Sequence, residues 1–492
     1  MNVATLWEEE ETFLFTPFIS FLATMNTEKS CLIGVDIGTS SVKAIAVDLG
    51  GNQLASAKTP LTLYSPARHN YLQDATEIRN ALFQTLRMLT ERIVSCKINA
   101  IGITGQSISL IITDNEGRPI YPVINHLDAR AATLLDYLSS KFGSIGYFGM
   151  KFIGNLAWIK MFEPNIWDRI GMVFDVREYA GYLLTGKQSI DELWYQVEDV
   201  ERYLQELGVP SRWLGQPISF TEVLGYVTET AHRETGLPAG TPVVVAPGDA
   251  LASPFGSGVI REGNMADISG VTEIMTVATT SAQGIIAYPY LLGGLKLVQF
   301  SPPIGLIHQW LVRTTAKILG IELERAYTVF EEMAKKSESG SGGVIFLPGS
   351  FRPGPKKFNI ALTDITYFND IKHIARAFYE CSAFELRRTI EVFEKFGCKV
   401  SRIIASGGGA TPFWCQLKAD VLGRAVEVPA VTETGCLGAA LVAGYAVGLY
   451  PSLKEAASVV RIAKMYEPSK TYDYEERYHQ YLEAREKYGQ FL

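Results

Sequence analysis

The chain has no CxxC pair, no basic run and no apolar stretch long enough to span a membrane, and each absence removes a class of function. The six cysteines, Cys31, Cys96, Cys381, Cys398, Cys415 and Cys436, lie scattered through apolar or helical contexts. A structural zinc site is therefore not expected. The thiols read as small core residues of a reducing compartment, which points to the cytoplasm. Lys and Arg number 45 against 52 Asp and Glu, a net charge of −7. That balance lacks the electrostatic footprint of a nucleic-acid binder. The apolar segment Phe13 to Met25 is shorter than the ~20 residues of a membrane span. Glu8, Glu9, Glu10 and Glu11 precede it, where a secretory signal carries positive charge. Residues 1–28 are accordingly expected to be an extension outside the fold, with a docked helix or a targeting segment as the alternatives. No membrane partner is expected.

What remains is ordinary globular composition, 47% hydrophobic and 20% charged over 492 residues. That length exceeds one typical core, so two or more domains are expected. From Cys31 the pattern reads strand, glycine turn, strand, a Gly50-Gly51-Asn52 turn and a third strand from Gln53 to Leu63. A helix is predicted from Ala75 to Ser95 by the spacing of Ile78, Leu82, Leu86, Leu89 and Ile93. A buried strand (Ile98 to Ile103) and a hairpin partner (Leu110 to Asp114) follow, then a helix from Ala129 to Phe142. Ala157 to Tyr203 is aromatic and mostly helical. Pro242 to Ala246 is a short buried strand. The second half repeats the plan. It has a hairpin (Asn264 to Thr279), a strand (Leu295 to Phe300) and a helix (Ile307 to Leu319). Lys335 to Gly343 reads as a surface loop, Gly343 to Pro348 as a strand and Ile371 to Phe396 as a long amphipathic helix. A buried strand (Val400 to Ser406) and two more helices (Phe413 to Leu422, Gly435 to Ala446) complete it. The mixture predicts an α/β protein with a mixed sheet in each half, divided near Gly256.

Two hairpins share one grammar of apolar strand, Asp, Gly/Ser/Thr turn and strand: Gly34 to Val47, and Ala266 to Val277. Such turns present backbone N–H groups and hydroxyls that suit phosphate oxygens. Asp36 ends a buried strand, where α/β ligands usually bind, and could hold Mg²⁺ directly or through water. Ser40, Ser41 and Lys43 could meet phosphate; a capped β-turn with a solvated lysine is the plain alternative. Asp249, in Pro247-Gly248-Asp249, suits a base that orients a hydroxyl nucleophile, or a simple helix cap. Ser406-Gly407-Gly408-Gly409-Ala410 follows a buried strand and permits close backbone approach by a flat adenine, or is a tight strand–helix turn.

Taken together these segments resemble the FGGY family of carbohydrate kinases, within the actin/hexokinase-like ATPase superfamily. The similarity rests on Gly34-Val35-Asp36-Ile37-Gly38-Thr39-Ser40, Gly102-Ile103-Thr104-Gly105-Gln106, Asp128-Ala129-Arg130, Gly248-Asp249 and Ser406 to Ala410. It extends through Gln416, Ala419-Asp420, Gly423, Glu433 and Gly438-Ala439-Ala440. The resemblance implies two actin-like, ribonuclease-H-like lobes with the active site in the cleft between them. Residues 29–255 would form the sugar-binding domain with the first phosphate loop, and 256–492 the adenosine-binding domain with the second. It implies ATP- and Mg²⁺-dependent phosphorylation of a sugar or polyol, and leaves a homodimer open. By position Asp249 matches the catalytic base and Asp36 the metal and phosphate aspartate. The implied nucleotide set is Asp36, Gly38, Thr39, Ser40, Ser41 and Lys43; Gly270, Val271 and Thr272; and Trp310, Gly408, Gly409 and Ala410. The implied sugar set is Gln106, Ser107, His126, Asp128 and Asp249.

Departures from the family pattern bear on the acceptor. Ser107-Ile108 stands where glycerol kinases carry Arg-Glu and xylulose kinases typically Met-His. His126 replaces a tryptophan, Val271 removes a hydroxyl from the second loop, and Ser350 to Pro355 keeps Arg and Pro but loses a Glu. The layout is most like the xylulose-kinase branch, which makes a ketopentose such as xylulose the expected acceptor. Erythritol or another polyol, ribulose and, less well matched, glycerol are rivals. An actin-like ATP switch or a sensor without sugar phosphorylation is the reading from another class.

Overall fold

The computed structural model describes residues 29–67, 70–143, 146, 148–270, 273–349, 359–469 and 471–489. The expected extension at 1–28, the loop residues Val271 and Thr272, and Ser350 to Pro355 lie outside them.

In the first half, β1 (Lys29–Ile37), β2 (Ser41–Asp48) and β3 (Gln53–Pro60) form an antiparallel meander. After α1 (Ala75–Thr90), β4 (Cys96–Gly105) returns parallel to β1. Next come α2 (Val176–Thr185), β5 (Gly225–Tyr226) and β6 (Pro242–Val245), giving a sheet of order β5-β6-β4-β1-β2-β3. β6 leads into α3 (Asp249–Gly256). The second half begins with β7 (Asn264–Ser269), β8 (Glu273–Thr279), β9 (Tyr288–Pro289) and β10 (Lys296–Phe300). It continues with α4 (Ile304–Leu319), α5 (Ile371–Lys395), β11 (Arg402–Gly407), α6 (Pro412–Leu422), β12 (Val426–Pro429), α7 (Thr434–Ala446) and β13 (Ile462–Tyr466). Its sheet runs β9-β10-β8-β7-β11-β12-β13. In both sheets an antiparallel meander is extended by two parallel strands on the side of its first strand. The expected mixed α/β architecture with one mixed sheet per half is present.

Boundaries shift where local chemistry overrides periodicity. α1 is capped by Asp74, whose side chain accepts from Thr76 N, and buries Ile78, Leu82, Leu86 and Leu89 as predicted. It ends at Thr90 rather than Ser95, because two tight turns there feed the chain into β4. The segment Leu110 to Asp114 is not the hairpin partner of β4. Its strand, Ile111–Thr113, pairs antiparallel with Met172–Phe174 instead. The intervening loop turns the chain out of the main sheet through Ile108, which holds φ at 66°. The helix expected from Ala129 is a 3₁₀ turn (Arg130–Leu134) running into an α-helix (Leu135–Phe142). A helix over Leu323–Lys335 occupies sequence left unassigned before the predicted loop.

α7 belongs to the second half by sequence but packs against β1, β4 and α3. It is buried nearly all round, as its uniformly apolar sequence requires. Small residues make the approach feasible. A Cβ on Gly34 would lie 1.8 Å from the Cys436 carbonyl oxygen, and one on Gly102 1.9 Å from that of Ala439. Leu32, Ile45, Val244, Phe255 and Ala266 from both halves close around α7 in one cluster. This joint core fixes the two hairpins relative to one another. Among the described residues, no helix is long and apolar enough to cross a membrane.

Candidate active site

The first hairpin turns tightly, with Gly38 N donating to Ser41 O at 3.0 Å. Gly38 and Thr39 are half-buried, Ser40 is exposed and Ser41 is buried. Asp36 lies opposite Lys43 in the ladder. Its carboxyl sits against the start of α7, where Gly435 leaves room: a Cβ there would be 3.1 Å from Asp36 Oδ2. Asp36 Oδ1 is buried and accepts no hydrogen bond from the described residues. Burial raises the Asp36 pKa, Lys43 opposes the rise and Glu433 adds to it. Lys43 Nζ meets Glu433 Oε2 at 2.6 Å, tying β2 to the N-cap of α7. Burial pulls the Lys43 pKa down, but Glu433 and Asp36 outweigh it and the net direction is up.

Asp249 is the first residue of α3 rather than its cap, a position taken by Gly248. Its Oδ1 accepts from Ala250 N at 2.8 Å. Burial, reinforced by the charge of Asp36, pushes its pKa up to about 7, with Arg177 pulling the other way. The strand end that delivers it is pinned twice: Thr104 Oγ1 donates to Pro247 O at 2.6 Å, and Arg177 Nη1 to Ala246 O at 2.8 Å.

The residues expected at the sugar end separate into two kinds. Ser107 is half-buried beside Gly248, so close that a Cβ on Gly248 would fall 1.8 Å from its hydroxyl. His126 is half-buried, its N–H held by Ser109 Oγ at 3.1 Å. Gln106 and Asp128, by contrast, are inward-facing. Gln106 accepts from Thr39 Oγ1 and Asn125 Nδ2 and donates to Gln73 Oε1. Asp128 is fully buried; its oxygens accept from Arg130 Nε and Nη2, Arg130 N and Tyr71 N. The polar atoms of both are thus engaged by other protein groups. Ile108 is 1% exposed and packs in the core with Leu72 and Leu110.

At the second hairpin, Gly270 is exposed at the turn. Gly408 N donates to Ser269 O at 2.9 Å, which joins this turn to the glycine run. Gly407 holds φ at 78°, a left-handed conformation that favours glycine. Gly408 is exposed, Gly409 buried and Ala410 half-buried. Trp310 stands 45% exposed on α4. Beneath the hairpin, fully buried Lys418 from α6 pairs with Asp267 at 2.5 Å and Glu273 at 3.2 Å. Burial and Asp267 hold the Glu273 pKa up at about 8 against the pull of Lys418.

Sequence reading missed Gln73, Asn125, Asp175, Arg177 and the Lys418 triad. Polar residues inside apolar stretches were the available signal, as with Lys418 between Leu417 and Ala419. Their partners lie far away in the chain, so spacing alone could not pair them. No cluster of three or more metal-ligating side chains occurs among the described residues. Magnesium needs none: it keeps several waters and takes one or two carboxylates plus substrate phosphates. A buried, unmet Asp36 oxygen fits that mode.

Comparison with known proteins bears on the family and the fold. Among curated proteins, an autoinducer-2 kinase of Yersinia enterocolitica is 26% identical over 90% of this chain and 91% of its own. The crystal structure of xylulose kinase from Rhodospirillum rubrum superposes with a TM-score of 0.76 at 25% identity, covering 94% of this chain and 99% of that one. Plasmodium falciparum glycerol kinase with ADP shares the fold, with a TM-score of 0.74 at 20% identity over 94% and 98% of the two chains. Residues 31–256 match the N-terminal domain and 300–447 the C-terminal domain of one family. The chain belongs to the FGGY family of carbohydrate kinases.

Proposed function

We propose that this kinase transfers the γ-phosphate of ATP to a hydroxyl of a ketopentose-type sugar such as xylulose, with Asp249 as the base. The observation that carries the reading is the Asp249 carboxyl at the head of α3, with its pKa raised to about 7. A base works best when its pKa lies near the operating pH. Asp249 accepts the proton of the attacking hydroxyl as the new O–P bond forms and the bond from Pγ to the β-phosphate oxygen breaks, releasing ADP. Ser107 and His126 hold the acceptor's hydroxyls, while Gln106 and Asp128 keep that wall rigid. Lys43 and the turn Gly38 to Ser41 receive phosphate oxygens on one side. Gly270 and the glycine run Gly408 to Ala410 receive the nucleotide on the other, with Val271, Thr272 and Trp310 completing that side. Asp36 would hold Mg²⁺, which neutralises phosphate charge when bound. The domain division goes with this reading: 29–255 on the sugar side, 256–492 on the nucleotide side.

Likeness to the xylulose kinase fold supports a ketopentose. The small Ser107 and inward Ile108 leave no charged pair at that position to clamp glycerol. Similarity to autoinducer-2 kinases along nearly the whole chain favours a second acceptor, autoinducer-2 itself. ADP release measured with xylulose, ribulose, erythritol, gluconate, glycerol and autoinducer-2 decides between them. The highest kcat/KM is expected with a ketopentose. A preference for glycerol or autoinducer-2 would refute the ketopentose assignment.

A further inference from the structure

Asp175 ends the short strand Met172–Phe174 and caps α2. One carboxylate there does three things. Oδ1 accepts from Val176 N at 2.7 Å, which caps the helix, and from Ser109 N at 3.0 Å; Oδ2 accepts from Ile108 N at 2.9 Å. The last two bonds grip the loop that carries Ser107. They hold Ile108 at φ 66°, a region a β-branched residue avoids unless its surroundings enforce it. Two residues on, Arg177 is 1% exposed and spans the other component of the site. Its Nη1 donates to Ala246 O at 2.8 Å and lies 3.2 Å from Asp191; its Nη2 lies 3.5 Å from Asp175 and 3.4 Å from Glu178. Ala246 stands three residues before Asp249. The start of one helix thus grips both chain segments that meet at the acceptor end of the cleft.

We propose that Asp175 and Arg177 are positioning residues that hold the Gln106–Ser109 loop in register with the Pro247–Asp249 segment, so that Ser107 and Asp249 face the acceptor at one fixed separation. The inference rests on the reading of Ser107 and Asp249 given above. It accounts for two features that reading leaves unexplained: a strained isoleucine beside the acceptor, and an arginine buried among carboxylates with no part in the chemistry. Neither residue touches the nucleotide side, so their effect should fall on the acceptor alone.

Asp175→Ser separates the two duties of the carboxylate. Serine is a good helix cap, so α2 keeps its start, while Ile108 N and Ser109 N lose their acceptor. The acceptor is xylulose, or whichever sugar in the screen above releases ADP fastest. In folded Asp175→Ser enzyme the acceptor KM should rise about tenfold or more and kcat should fall, with the ATP KM within about twofold of the parent. Parent-like acceptor KM would overturn the proposal. So would acceptor and ATP KM values rising by the same factor, which would mark a general folding defect. If the serine variant does not accumulate, Asp175→Asn, which keeps the size and one acceptor oxygen, is read by the same comparison. Asp249→Asn, assayed alongside, tests the underlying assignment: full turnover there removes Asp249 as the base without bearing on the clamp.

Discussion

Replacing Asp249 by asparagine should make the protein more stable while nearly abolishing its activity. Burial and the Asp36 charge raise the Asp249 pKa from 3.8 to about 7. The folded value lies above the unfolded one, so the folded state holds the proton more tightly. Stability is therefore lost as pH climbs from about 4 to about 7 and is level beyond. At about 1.36 kcal/mol per pH unit, the rise corresponds to about 4 kcal/mol at pH 8.5. Asp249 is only half-buried as a residue, and solvent from the cleft screens it, which halves the figure to about 2 kcal/mol. Asparagine has the same shape, keeps an oxygen for Ala250 N and carries no charge to bury. Thermal unfolding at pH 8.5 should show the variant stabilised by that amount, a few degrees in Tm. At pH 5 the gap should be smaller, because more of the parent carboxyl is then protonated when folded. Turnover should fall by about 10²–10⁴. An asparagine variant no more stable than the parent at pH 8.5, or a gap that does not change with pH, would refute the reasoning.

Asp36→Asn should raise the Mg²⁺ concentration for half-maximal turnover by about tenfold or more; an unchanged MgCl₂ titration would remove Asp36 as the metal residue. Gly102→Ala places a Cβ 1.9 Å from a backbone carbonyl of α7 and should cost about 3 kcal/mol or more, read as lost soluble protein or a sharply lower Tm; a parent-like Tm would contradict the packing. Lys418→Met strands Asp267 in the core and should cost about 3–5 kcal/mol in denaturant unfolding. Adding Asp267→Asn should recover most of that loss, and no recovery would mean that charge pairing is not what Lys418 supplies.

The two hairpins were legible as hairpins because glycine, serine and aspartate crowded at a strand end suit little besides a tight turn with open backbone N–H groups. Asp36 and Asp249 stood out for a related reason, each being a carboxylate released by a short apolar strand. The alternation of Leu32, Gly34 and Asp36 also marks one face of β1, and that face proves to meet α7. Roles that depend on distant partners were not legible. Gln106 and Asp128 stand in motifs that imply contact with hydroxyls, and spacing does not reveal that Gln73, Asn125, Arg130 and Tyr71 N also engage their polar atoms. Asp267 holds in the second hairpin the place that Asp36 holds in the first, with no matching role expected of it. In the structure it is fully buried and paired with Lys418, so the resemblance between the hairpins ends at their carboxylates. The register of the Leu110 to Asp114 strand escaped for a similar reason: one residue with positive φ redirects it, and no periodicity records that.

Charge around the first hairpin indicates which contacts would change if a nucleotide binds there as proposed. Asp36 and Glu433 place two carboxylates near Lys43, and the charge of Asp36 is felt in turn by Asp249. Lys43 is held by Glu433 at 2.6 Å, but both side chains are partly solvent-exposed, at 29% and 37%. A pair of that kind is worth about 0–1 kcal/mol, so exchanging Glu433 for a phosphate oxygen costs little. Asp36 is in the opposite position. Its buried Oδ1 has no protein donor among the described residues, and an unmet buried acceptor costs about 1–3 kcal/mol. Under the proposed reading, Lys43 has the least to lose by turning toward a triphosphate, and Asp36 the most to gain from the hydration shell of a cation that accompanies it. The same arithmetic separates the two hairpins. Beneath the second, Lys418 of α6 is fully buried between two carboxylates, and giving it up would strand charge in the core. The Lys43–Glu433 pair can therefore be broken at little cost, while Lys418 of α6 cannot leave its two carboxylates without stranding buried charge.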